Sequence, residues 1–188
     1  MPSGPRRWTE AICAALFALA CAVPAVAEGL ADCRPVPRPA ATGRSVPEVI
    51  GTRLFDDLIA WIAINTSYDM LLAYTDPPSL SFCRVGDLIV YEHADLLVDP
   101  ALFAAFDRER RHIFLTEPWS MLNLFDQSVL LHELIHDVQL SNRDWPCRGA
   151  PELEAYYLQD RWLQEHGIRH PFDWDVIRFL SHCADDAR

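Results

Sequence analysis

The apolar positions fall into short runs whose spacing changes along the chain. Ile50, Leu54, Leu58, Trp61, Ile62 and Asn65 recur at three- and four-residue intervals, which predicts a helix over 48–66. A shorter apolar stretch, Met70 to Tyr74, stops at Asp76-Pro77-Pro78, where two prolines remove backbone donors. Leu80 to Cys83 and Asp87 to Tyr91 read as short strands. Arg111 to Thr116 is a third strand, ended by Glu117-Pro118. Between them, Asp99-Pro100 followed by Ala101 to Phe106 predicts a helical turn or two with proline at its start.

The longest periodic segment covers 127–140. Leu130, Leu131, Leu134, Ile135 and Val138 share one stripe, which predicts an amphipathic helix with Asp126 as its N-cap. A turn-rich link, Asp144 to Gly149, precedes a second helix that Pro151 opens and that runs through Leu163. After Pro171 a last helix presents Val176, Ile177 and Leu180 as its apolar face. The tryptophans Trp119, Trp145, Trp162 and Trp174 are expected in core or turn packing. No repeat and no second domain boundary is visible. The pattern predicts a single α+β domain over 48–188, mostly helical, with a small sheet.

The first 27 residues are set apart from this pattern. Arg6 and Arg7 precede an uncharged apolar run, Ala11 to Val23, and Ala25-Val26-Ala27 has the small-x-small form of a signal-peptidase site. The run is short for a membrane span and Pro24 interrupts it, so 1–27 is read as a cleaved signal peptide with no span left after cleavage. Lipid attachment at Cys21 is the lesser option, because Ala18-Leu19-Ala20 fits a lipid-attachment box poorly. Two arginines alone do not make a twin-arginine signal. Residues 28–47, rich in proline and arginine, read as an extended arm. The expected location is therefore secreted or periplasmic.

Export changes how the cysteines are read. Cys33, Cys83, Cys147 and Cys183 remain after cleavage, and an even number in an oxidising compartment predicts two disulfides. Four cysteines allow three pairings, among which the sequence does not choose; Cys33 is a candidate tie between the arm and the body, and Cys147 a candidate partner for Cys183. No two of them form a C-x-x-C pair of the kind that binds metal. The chain has 188 residues, 51% of them hydrophobic, enough for one buried core. Its net charge is −11, and every basic residue is arginine. Loss of Arg6, Arg7 and Glu10 with the signal moves the balance one unit further negative. Nucleic acid and anionic membranes are excluded as partners, since both need a basic face.

The candidate chemistry lies in the central helix. His132 and His136 are four apart, so both project from one side and can share a metal ion. Glu133 stands beside them, placed to take a proton from a water on the metal without itself being a ligand. A glycine and a third histidine soon after the motif would complete one kind of site. Position 142 is Asn and no glycine intervenes, which excludes that kind. A glutamate from the next helix is the remaining common solution. Glu152 shares a face with Ala155, Tyr156, Gln159 and Leu163, and the small Ala155 lets two helices approach closely. Glu154 shares a wetter face with Tyr157, Leu158, Arg161 and Glu165. Glu152 is favoured as third ligand and Glu154 is the alternative. His93, His170 and His182 have no partner at ligand spacing and are expected at the surface or at caps.

His132 to His136 together with Glu152-Leu153-Glu154-Ala155-Tyr156 resemble the gluzincin group of zinc peptidases, over about 25 residues. The group often carries a small residue three positions after the ligand glutamate, as Ala155 is here. Many members carry an acidic residue or Asn at the fourth position, where this chain has Tyr156, so the brace for a ligand histidine must come from elsewhere, with Gln139 or Asp160 as candidates. The resemblance implies a zincin-type two-helix core, a Zn(2+) cofactor and hydrolysis of a peptide or protein substrate. It also implies an oxyanion donor, for which Tyr156, Tyr157, His112 and His166 are the candidates. By analogy of order, strand 111–116 is expected to offer the edge along which a peptide pairs. The rival is an exported binding or scaffolding protein with a structural zinc.

Overall fold

A computed structural model describes residues 33–35 and 52–183. The signal peptide expected over 1–27 and the arm over 28–47, apart from Cys33 to Pro35, lie outside the described residues, as does Ile50. The elements are β1 (Arg34–Pro35), α1 (Thr52–Asn65), α2 (Leu71–Thr75), β2 (Ser79–Cys83), β3 (Leu88–Tyr91), β4 (Ala94–Leu97), β5 (Ala104–Asp107), β6 (His112–Thr116), α3 (Leu124–Asn142), α4 (Glu152–Glu165) and α5 (Trp174–Leu180). This is a small α+β domain. No helix among the described residues is long and apolar enough to cross a membrane.

Four strands form one sheet in the order β1-β2-β6-β5. β2 and β6 run parallel, from Ser79 opposite His112 to Cys83 opposite Thr116. β1 and β5 are antiparallel to their neighbours. β3 and β4 make a separate hairpin whose tip, Glu92 and His93, has left-handed backbone at φ 45° and 68°. The helices cover one face of the sheet. Phe55, Leu58, Ile59 and Ile62 of α1 meet Leu80, Ile113 and Leu115 of the sheet and Leu130, Leu131, Leu134 and Ile135 of α3. Each large side chain so buried contributes about 1.5–3 kcal/mol. On the other face Phe114 packs with Cys83, Ile89 and Val98. β6 is thus buried on both sides, which explains its unbroken apolar run.

Several expectations are corrected. Ala101 to Phe106 is not helical. Asp99 turns the chain there, its carboxylate accepting from the backbone N–H groups of Ala101 and Leu102, and 104–107 becomes β5. Pairing with β6 and burial of Phe106 outweigh the helix propensity of the alanines. Strand 111–116 is not an edge, because β6 lies between β2 and β5; β5 stands at the end of the sheet. The cap of α3 is Asn123, whose side chain accepts from Phe125 N–H at 2.9 Å, while the Asp126 carboxylate accepts from Ser120 N–H. On α5 only Ile177 is buried; Val176 and Leu180 face outward.

α3 is enclosed on all sides from Ser128 to Gln139, not along one stripe, because α1, α2, α4 and β5 all pack against it. Its polar side chains must therefore find partners inside the protein. Asp137 is gripped by the guanidinium of Arg111 at 2.8 and 3.0 Å. The described residues leave no buried side-chain polar atom unpaired. Disulfides join Cys33 to Cys83 and Cys147 to Cys183. Beside the second, the α3–α4 link meets the end of α5 so closely that a Cβ at Gly149 would overlap the carbonyl oxygen of Leu180.

Candidate metal centre

The pitch of α3 puts His132 and His136 on one side, and the return of α4 brings Glu152 against them. The two Nε2 atoms are 3.0 Å apart, and each lies 3.3 Å from an oxygen of Glu152. Donor atoms of these three residues all lie within 4.8 Å of one another. Both histidines are buried, and Glu152 is partly so.

Their surroundings fix which nitrogen each ring presents. Gln139 directs its NH2 group at two acceptors, the carbonyl oxygen of Pro151 at 3.1 Å and a carboxylate oxygen of Glu154 at 3.0 Å. Its amide oxygen must then face Nδ1 of His136, at 3.0 Å, and Nδ1 must carry the proton. The same holds for His132. Ser128 donates its hydroxyl proton to Phe125 O and accepts from the Gln159 NH2, so the Gln159 oxygen receives Nδ1–H of His132 at 3.1 Å. In both rings the lone pair is left on Nε2, pointing into the site. Two lone pairs and a carboxylate therefore converge with no donor assigned between them. Such a cluster requires positive charge, and two imidazoles with one carboxylate are the donor set of a catalytic zinc site. The residues fit the metal. Burial works to raise Glu152, but positive charge at the Nε2 atoms of His132 and His136 overrides that and holds its carboxyl well below the usual range.

Glu133 lines the same cavity, 7% exposed. Burial raises its carboxyl above the ordinary value, with the two imidazoles pulling the other way. Glu154 is turned away from the histidines. It accepts from Tyr68 O–H at 2.6 Å, from Gln139 and from Arg143. Burial, then this bond to Glu154, pushes the Tyr68 phenol up to about 12, which keeps it a donor. Tyr156 packs its ring on His132 at 4.5 Å and lines the cavity, its hydroxyl without a hydrogen bond among the described residues.

Other candidates lie elsewhere. Tyr157 stacks on Trp174 and is half exposed, so it does not reach the cavity. His112 sits between Ser79 and Ser81 in the sheet. His166 accompanies the end of α4 on Trp162. Asp160 is used by Gln164 and is no brace for a histidine. Two residues at the site were missed in the sequence. Gln159 stands seven positions after Glu152 on the same face, which was its available signal. His170, expected at the surface or a cap, instead packs between Phe125 and Phe172 beside the cavity, and nothing local in the sequence marks it.

His132, Glu133, His136 and Glu152 thus form a zincin-type site of the H-E-x-x-H kind. No curated protein and no solved structure matches the chain. A family model described as a domain of unknown function (DUF6647) matches residues 48–187, so it takes in the whole helical core and both helices of the metal site. The chain belongs to the DUF6647 family.

Proposed function

We propose that the protein is a zinc-dependent endopeptidase acting outside the cytoplasm, with His132, His136 and Glu152 as metal ligands and Glu133 as general base. The observation that carries this is the convergence of three ligand side chains beside one carboxylate that is not a ligand, in a cavity of about 530 Å³. Zinc so held supplies Lewis acidity toward a water and a substrate carbonyl. The chain's own residues do the rest. Glu133 takes a proton from the attacking water and passes it to the leaving amine. Its burial favours this, because a carboxyl raised toward neutrality both accepts and returns a proton. Burial keeps Tyr156 a protonated phenol, and its unpaired hydroxyl is the donor for the oxygen on which charge develops. β5, at the end of the sheet and lining the cavity through Ala104 to Phe106, is the strand with which an extended peptide would pair. Three ligands opening onto a cavity, rather than four closing a sphere, favour catalysis over a structural metal. The apolar leader with its small-x-small end and the two disulfides support action after export.

The test is metal content and turnover together. Wild type is expected to hold one zinc and His136→Ala almost none. Glu133→Gln is expected to keep the zinc and lose about 10²–10⁴-fold in kcat. A Glu133→Gln variant that cleaves peptides at the wild-type rate would sink the assignment.

A further inference from the structure

The cleft at the metal site has two lobes that share His132, Glu133 and Tyr156 as their common wall. The smaller, about 290 Å³, is bounded by an arc of rings each touching the next. Phe103 meets Phe125 at 5.5 Å, Phe125 meets His170 at 4.6 Å, and His170 meets Phe172 at 4.6 Å. Phe172 then meets Tyr156 at 5.5 Å, and Tyr156 meets His132 at 4.5 Å. The arc leads from the mouth, where Phe103 is 59% exposed, to the metal ligand. An exposed phenylalanine at the open end of such an arc has an unused face, and edge-to-face geometry suits a further ring inserted among the others. The larger lobe differs in chemistry. Beyond the metal residues it carries Glu92, Asp95 and Arg148. Glu92 and Arg148 neutralise one another at 3.0 Å. Asp95 has no ion-pair partner among the described residues, so this lobe keeps an uncompensated negative charge.

Resting on the peptidase reading, we propose that the enzyme selects peptides with an aromatic side chain on one side of the cleaved bond and a basic side chain on the other. The aromatic residue enters the ring-lined lobe and the basic residue lies toward Asp95. The aromatic choice is the stronger of the two, since that lobe is walled by rings that a further ring can pack against, whereas an exposed carboxylate acts through a screened charge.

Internally quenched peptides carrying Phe, Leu, Ala or Glu at one position and Arg, Ala or Glu across the bond would be given to the zinc-loaded protein, and kcat/KM measured. Phe is expected to exceed Ala by at least about tenfold. Phe103→Ala and Phe172→Ala are expected to shrink that ratio. A severalfold preference for Arg over Glu is expected, declining with salt and reversed in Asp95→Lys. Equal rates across the panel, or an aromatic preference untouched by both phenylalanine variants, would overturn the proposal. Should the zinc-loaded wild type cleave nothing, the peptidase reading is what fails. The same peptides bound to zinc-loaded Glu133→Gln then decide the lobes: tighter binding of the Phe peptides supports the ring-lined lobe, and indifferent binding rejects it.

Discussion

Gln139 and Gln159 determine which nitrogen each ligand histidine presents, and they do so as neutral amides where a carboxylate is the commoner partner. Each amide is held by acceptors or by a hydroxyl whose proton is already committed, so neither can flip without losing bonds in a buried site. Gln159→Leu is therefore expected to lower zinc affinity about 10–100-fold, read by competition with a chelating dye, while helical content stays that of the wild type. An unchanged affinity would show that the ring is oriented by packing alone. The spacing of His132, Glu133 and His136 could be read in the sequence because it depends only on the pitch of one helix. The choice of Glu152 over Glu154 was legible through the small Ala155 and the wet Arg161–Glu165 pair beyond Glu154. Gln159 could be placed on the face of Glu152 but not given its role, and His170 was not legible, because its approach depends on the path of the chain after α4.

At the scale of elements, the segment around β5 departs most from the sequence pattern. Ala101 to Phe106 has helical composition, yet its geometry is set by antiparallel pairing with β6, the strand that follows it, and the alanines themselves carry no mark of that pairing. The last residue of β5, Asp107, also anchors the β3–β4 hairpin. The buried carboxylate of Asp107 accepts from Glu92 N–H at 3.3 Å and from the backbone and guanidinium of Arg110, whose Nη2 also reaches Val90 O. Burial works to raise Asp107, but these bonds prevail and its carboxyl lies below the ordinary value. A depressed carboxyl contributes stability in full above the unfolded value, about 3.9, and loses it as pH falls through the folded value. Asp107→Asn is expected to cost about 1–3 kcal/mol at neutral pH, and the gap from wild type should narrow in acid. Urea melts of both proteins at pH 7 and pH 3 would check it. A gap independent of pH would mean that the charge contributes nothing.

For the whole molecule, the metal and the fold are linked. The ligands come from two helices that pack on one another, so an ion bound only by the native state stabilises that packing. Free zinc at about 1,000 times its dissociation constant would add about 4 kcal/mol. Calorimetry is expected to show a melting temperature that rises with zinc and drops after chelation, and a His136→Ala variant that responds to neither. A wild-type melting curve indifferent to zinc would argue against a native metal site. The domain class was legible in the sequence because most of the long apolar runs carry their own periodicity. The enclosure of α3 on every side was less so, since its buried polar residues read locally as a solvent face.

Neither disulfide joins α3 to α4 directly. Cys33–Cys83 fastens the strand at the N-terminal end to β2, and Cys147–Cys183 fastens the link before α4 to the chain after α5. Redox conditions should therefore act on metal load and on substrate handling separately. A chain made in a reducing cytosol, or treated with dithiothreitol, is expected to take up its full zinc. It should nevertheless turn over peptide poorly, because Cys147 neighbours Arg148 in the wall of the larger lobe. Zinc stoichiometry measured beside kcat/KM before and after reduction separates the two, and zinc lost on reduction would show that the bridges hold the helices themselves. The production host would then decide whether the purified protein is competent, and would have no bearing on whether it is metal-loaded.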